Sequence, residues 1–177
     1  MKERTRLATV WLDGCSGCHM SLLDMDERLL EFADKIALLY SPLVDAKEFP
    51  REVDVTLIEG AVGSEEDEKR LYVIRERTKI LVSLGDCAVT ANVPSMRNPF
   101  GVGAVLERAY IETASAQAQI PRQELPPLRA RALPLHQFVK VDVFMPGCPP
   151  SADMIHFALS ELIAGRLPDF GTGVRFG

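Results

Sequence analysis

The chain has 177 residues, 47% of them apolar and 25% charged, a composition that supports one compact domain with a substantial core and excludes a fibre or a disordered segment. Lys and Arg number 20 against 25 Asp and Glu, so the net charge of -5 leaves no basic excess for neutralising phosphates and excludes a non-specific nucleic-acid binder. No run approaches the roughly 20 apolar residues of a membrane span, and the apolar run after the basic start is too short for a signal peptide, so no membrane role and a cytoplasmic location are expected.

Residues 1–6 read as a tail. Leu7 to Leu12 is an apolar run that stops at Asp13-Gly14, as a buried strand does, and Ser21 to Leu30 has helical spacing. Lys35 to Ser41 is a second strand, and Val53 to Glu59 is a third that ends at Gly60; Pro42 and Pro50 mark the crossover between them. Ser64 caps a helix whose first turn, Glu65 to Glu68, complements the N-terminal dipole, and whose buried stripe is Leu71 and Ile74. That helix ends near Thr78, and Lys79 to Leu84 follows as a fourth strand running into Gly85-Asp86-Cys87.

Pro94 and Pro99 place a loop before a helix from about Val102 to Ala116. Pro121, Pro126, Pro127 and Pro134 make 120–135 an exposed, semi-rigid connection. Val139 to Met145 is a fifth strand, ending at Pro146-Gly147-Cys148-Pro149-Pro150, and Ser151 to Ala164 is a capped final helix closed by Gly165, with a tail over 166–177. Near-continuous apolar strands alternating with helices predict an α/β fold: a flavodoxin-like, doubly wound, mostly parallel five-stranded sheet forming a single domain over 1–177.

Ligands of such sheets bind outside the carboxyl ends of the strands. Cys15 and Cys18 follow the first strand, Cys87 the fourth and Cys148 the fifth, so every thiol falls on that one edge. Four thiolates are the ligand set of one [4Fe-4S] cluster, and a C-x-x-C pair lets one turn supply two of them. Gly14 and Gly17 let the first loop approach the cluster closely, and Gly147 and Pro149 bracket Cys148 in the same manner.

Other readings of the same residues stay open. Structural zinc also takes four cysteines, but in two short pairs rather than in ligands dozens of residues apart. Cys15-Ser16-Gly17-Cys18-His19 matches the c-type haem attachment pattern and could equally be a redox dithiol, each of which leaves Cys87 and Cys148 idle. Buried unreactive cysteines are the plainest alternative. FMN at the strand ends would suit the fold, although the first loop lacks a Ser/Thr-rich phosphate cradle.

Trp11 to Ser21, Ile58-Glu59-Gly60, Gly85-Asp86-Cys87 and Pro146 to Pro150 resemble, in order and spacing, the cluster motifs of nickel-iron hydrogenase small subunits. The homologous 20 kDa subunit of respiratory complex I shares those motifs but carries adjacent cysteines in the first, which favours a hydrogenase here. Ending soon after Cys148, the chain is similar to the short, single-cluster small subunits of soluble, cytoplasmic NAD-reducing hydrogenases. The resemblance implies a [4Fe-4S] cluster of the proximal type on Cys15, Cys18, Cys87 and Cys148. It also implies a nickel-iron centre on a large-subunit partner, and diaphorase subunits that carry flavin and further clusters. Another single-cluster hydrogenase or a complex I-like oxidoreductase is the alternative.

Glu59 ends an apolar strand at the thiol edge and is a candidate proton relay or cluster neighbour; an exposed acid capping a loop is the other reading. His19 is expected to be a loop residue facing the partner. Trp11 and Met20 are expected in core and interface packing, and His136 and His156 in structural roles on a loop and a helix.

Overall fold

The computed structural model describes residues 4–171 and Phe176. Its main sheet is built from β1 (Thr5–Trp11), β2 (Ile36–Tyr40), β3 (Val53–Glu59), β5 (Thr78–Leu84) and β7 (Val143–Met145) in the order β2-β1-β3-β5-β7, every neighbouring pair parallel. This is the expected flavodoxin-like order. The short β4 (Val62–Ser64) and β6 (Leu128–Leu133) form a separate antiparallel pair.

Two apolar layers sandwich the sheet. On one face Leu7, Val55, Leu57, Val82 and Leu84 pack against α1 (Gly17–Leu23) and α5 (Ala152–Ile163). On the other, Val10, Ile58 and Leu81 meet α2 (Glu65–Arg77) and α3 (Asp86–Thr90). Burial on both faces is why the strands read as near-continuous apolar runs.

The cap at Ser64 is a full capping box: its Oγ accepts from the Asp67 N–H at 3.1 Å, and Asp67 Oδ2 accepts from the Ser64 N–H at 2.9 Å. Ser151 caps α5 by accepting from the Met154 N–H at 3.3 Å.

Several expectations change. β1 takes in Thr5 and Arg6, which shortens the N-terminal tail, and 1–3 lie outside the described residues. Of the C-terminal tail, 166–171 is irregular but docked, with the Phe170 ring 6.2 Å from that of Phe157, while 172–175 and 177 lie outside the described residues. The helix expected over Ser21 to Leu30 is α1 followed by a separate 3-10 segment, Asp26–Phe32; Asp26 has φ of 49° and breaks helical continuity, and the re-aimed chain buries Met25 and Phe32. The helix expected from Val102 to Ala116 is α4 (Val102–Glu107) and a π turn, Arg108–Glu112.

The connection over 120–135 is not wholly exposed chain, because it contains β6. Asn98 clamps that strand, accepting from the Ala132 N–H at 2.8 Å and donating to its carbonyl at 2.9 Å. The fifth sheet strand is shorter than expected: at Asp142 the backbone N–H still donates to the Leu81 carbonyl at 3.0 Å, but the Leu81 N–H goes to the Asp142 side chain, whose Oδ2 accepts it at 2.9 Å and also accepts from Arg75 Nη1 at 2.6 Å.

Candidate metal centre

Trp11, Glu59, Leu84 and Met145 are Cα partners across β1, β3, β5 and β7, one row along the carboxyl edge of the sheet. Just beyond this row come the loop that carries Cys15 and leads to Cys18 in the first turn of α1, the first turn of α3 with Cys87, and the loop that carries Cys148. All four are free thiols, Cys18 and Cys87 buried and Cys15 and Cys148 exposed. Three stretches far apart in sequence thus bring their cysteines to one edge.

Specific hydrogen bonds lock these loops together. Asp86 donates its backbone N–H to the Gly147 carbonyl at 2.9 Å, and its Oδ1 accepts the Gly147 N–H at 2.7 Å, which ties the Cys87 turn to the Cys148 turn. Ser21 Oγ on α1 donates to the Pro150 carbonyl at 2.5 Å, tying in the helix that carries Cys18. The Cys148-Pro149 peptide is cis.

Of the three glycines expected near a cofactor, only Gly147 has positive φ, at 138°. A Cβ on Gly14 would come within 3.1 Å of the Gly60 Cα, and one on Gly17 within 3.2 Å of the Cys15 Sγ, so both are sites of close approach. Gly85 belongs with them, although the sequence reading places it only within the Gly85-Asp86-Cys87 motif and not among the glycines that approach a cofactor. It has φ of 82°, and an added Cβ would overlap the Cys18 Sγ. The doublet Gly85-Asp86 at a strand end is the signal that could have found it.

Burial pushes the Cys18 thiol well above its ordinary range, and the charges of Glu59, Cys87, Cys15 and Cys148 push it further. Burial also raises Cys87; a backbone hydrogen bond from Val93 opposes this, and Cys148, Cys15 and Glu59 add to the rise. The four sulfurs therefore lie within electrostatic reach of one another, and ionising them together requires a compensating cation. Among the described residues no three His, Cys, Asp or Glu side chains could share a single metal ion. One zinc ion would need four sulfurs at about 2.3 Å from a common point. A cubane distributes its thiolates over four irons, and four thiols that cannot converge on one ion, in a cradle that a Cβ would fill, fit that demand better.

Glu59 is 1% exposed and is not the solvent-facing loop cap considered above. Its partner is His19, which lies on α1 with 3% exposure and so corrects the expectation of a histidine facing outward. The His19 N–H donates to Glu59 Oε2 at 2.9 Å, and Nδ1 lies 2.5 Å from the same oxygen. Trp11 is 45% exposed, outside the core, and donates from Nε1 to the Gly14 carbonyl at 3.1 Å; Met20 is exposed as well. His136 sits in a 3-10 turn against Phe144, and His156 on α5 beside Glu31.

A doubly wound parallel sheet that gathers four free thiols beyond one row of strand ends defines a redox-subunit type of domain. A family profile described as NADH ubiquinone oxidoreductase, 20 Kd subunit, matches residues 15–162. The delta subunit of the NAD-reducing hydrogenase HoxS from Cupriavidus necator is 41% identical over 97% of this chain and 85% of its own length. A subunit of the F420-non-reducing hydrogenase vhu from Methanocaldococcus jannaschii is 37% identical over 96% of this chain but only 59% of its own. The iron-sulfur subunit of an F420-non-reducing hydrogenase from Archaeoglobus profundus is 29% identical over 97% of this chain and 60% of its own. A crystal structure of an NAD+-reducing [NiFe]-hydrogenase in the H2-reduced state contains a chain that superposes with a TM-score of 0.93, at 37% identity, covering 99% of this chain and all of that one. The chain belongs to the 20 Kd oxidoreductase-subunit family, as one of its nickel-iron hydrogenase small subunits. Among the described residues no helix is long and apolar enough to cross a membrane.

Proposed function

We propose that this chain is the electron-transfer subunit of a cytoplasmic NAD-reducing nickel-iron hydrogenase, and that Cys15, Cys18, Cys87 and Cys148 hold one [4Fe-4S] cluster. The observation that carries the reading is the convergence of four free thiols beyond a single row of strand ends, on loops cross-linked by Asp86, Gly147 and Ser21. When bound, the cluster supplies one-electron storage between the partner's nickel-iron centre and diaphorase subunits carrying flavin and further clusters.

The work of the chain's own residues is placement. Parallel strands of matched register deliver three loops to one edge, and the Asp86 and Ser21 clamps hold those loops at fixed separation. The exposed Cys15 and Cys148 stand on the solvent side of the thiol group, with Trp11 and Met20, on the two elements that flank the Cys15 loop, exposed as a surface for the large subunit. Glu59 holds a carboxyl group behind the buried thiols, away from water.

In the assembled complex, Cys87→Ser separates the roles. Hydrogen-deuterium exchange on H2, which needs only the large subunit's centre, is retained, while H2-dependent NAD+ reduction is lost. Full NAD+ reduction by a complex lacking the cluster would refute the assignment.

A further inference from the structure

Among the buried polar side chains of the described residues, four form a continuous line: Ser41, Thr9, His19 and Glu59, at 3, 1, 3 and 1% exposure. Thr9 Oγ1 donates to Ser41 Oγ at 2.8 Å, His19 Nε2 lies 3.0 Å from Thr9 Oγ1, and His19 Nδ1 lies 2.5 Å from Glu59 Oε2. Ser41 Oγ also accepts from the Leu43 N–H at 3.1 Å, so the far end of the line is anchored to backbone. The line crosses from the end of β2 over β1 to the end of β3, beneath α1, through a layer otherwise filled by side chains such as Leu7, Leu22 and Leu57. Four polar groups in such a layer cost free energy unless every member is paired, and an apolar layer would hold the fold together more cheaply.

What the line accomplishes is orientation. Thr9 donates onward to Ser41, so its remaining capacity is to accept from His19 Nε2; the imidazole is held at both nitrogens and cannot turn. Glu59 Oε2 in turn meets both the ring and the backbone N–H of His19, next in sequence to Cys18. The other oxygen, Oε1, faces the Cys15 loop, where a Cβ on Gly14 would come within 3.7 Å of it. Glu59 acts electrostatically on both Cys18 and Cys87.

We propose that Thr9 and Ser41 are positioning residues that act through His19 to hold the Glu59 carboxylate against the thiol centre, and thereby set the reduction potential of the group it holds. The proposal rests on the four cysteines carrying an iron-sulfur cluster. With Nε2 donating to Thr9, His19 meets the carboxylate by donating from Nδ1, so the line presents an ion pair whose negative end, Glu59 Oε1, faces the Cys15 loop; each electron accepted adds a negative charge beside that end, and the line keeps the potential low. Glu59→Gln removes the charge and makes the potential less negative. Thr9→Val keeps the shape but frees the ring, lets the carboxylate swing away, and shifts the potential in the same direction by less. Thr9→Ser restores the hydroxyl and the wild-type value.

The test is a spectroscopically monitored redox titration of the assembled complex at one pH, with iron and sulfide assayed on the same samples. The expected order, from most to least negative, is wild type together with Thr9→Ser, then Thr9→Val, then Glu59→Gln. A fully loaded Thr9→Val with the wild-type potential, or with a shift opposite to that of Glu59→Gln, overturns the proposal. Should Thr9→Val lose iron, Ser41→Ala, which lies furthest from the thiols, provides the same comparison: a shift toward Glu59→Gln supports the proposal and the wild-type potential overturns it. Wild-type complex whose small subunit contains neither iron nor sulfide would refute the cluster assignment itself, and this inference with it.

Discussion

The two edges of the sheet handle charge in opposite ways. At the amino edge Arg6 binds Asp54 and Glu52, and Lys79 reaches Asp54, an ion network open to water in which each charge faces its opposite. At the carboxyl edge Cys18, Cys87 and Glu59 are buried together; Glu59 and Cys87 raise the cost of charge on Cys18, and Glu59 raises it on Cys87. Exposed pairs of the first kind are worth about 0 to 1 kcal/mol each and serve the fold. A buried group of like tendency is a liability that becomes an asset only once a cation arrives.

The sharpest way to break this contrast is to remove a ligand. Cys18→Ala should reduce the iron and sulfide content of the small subunit to background while leaving the amino edge intact; retained cluster would show that the buried thiol is mere packing. Gly85→Ala comes next, since it forces a side chain into the left-handed region and onto Cys18. A loss of about 3 kcal/mol and poor iron loading are expected, and a wild-type melting temperature with normal iron would contradict the packing described.

Asp86→Ala leaves the Gly147 N–H without its carboxylate partner, and chemical denaturation should register a loss of about 2 kcal/mol. The smallest effect belongs to the amino edge. Hydrogen bonds from Arg6, followed by those from Lys79, hold the Asp54 carboxyl well below its ordinary range. A lowered carboxyl contributes stability that is present above the unfolded value near 3.9 and is lost as pH falls below it. Asp54→Asn should therefore cost about 1 kcal/mol at pH 7, and the difference from wild type should shrink below about pH 4. A difference that grew on acidification would reverse the sign argued here.

The contrast also separates what the sequence reveals from what it conceals. Strands buried on both faces appear as unbroken apolar runs ending at glycine, so the sheet and the position of each cysteine just past a strand end were readable. β6 was hidden because Pro126 and Pro127 precede it and Arg129 and Arg131 alternate through it, a pattern that local rules assign to exposed chain. The pairing of His19 with Glu59 and Thr9 was hidden for another reason. A histidine beside a cysteine motif looks like a loop residue until α1 is laid across β1 and β3, and nothing local to His19 names partners on two different strands. The clamp between Asp86 and Gly147 is concealed in the same way, by distance along the chain.

Anaerobic purification of the complex, followed by iron and acid-labile sulfide analysis of this subunit, tests the central claim most directly. About four of each per chain, falling to background in Cys18→Ala, is the predicted result. Zinc in place of iron, or neither iron nor sulfide with all four thiols freely alkylated, would contradict it.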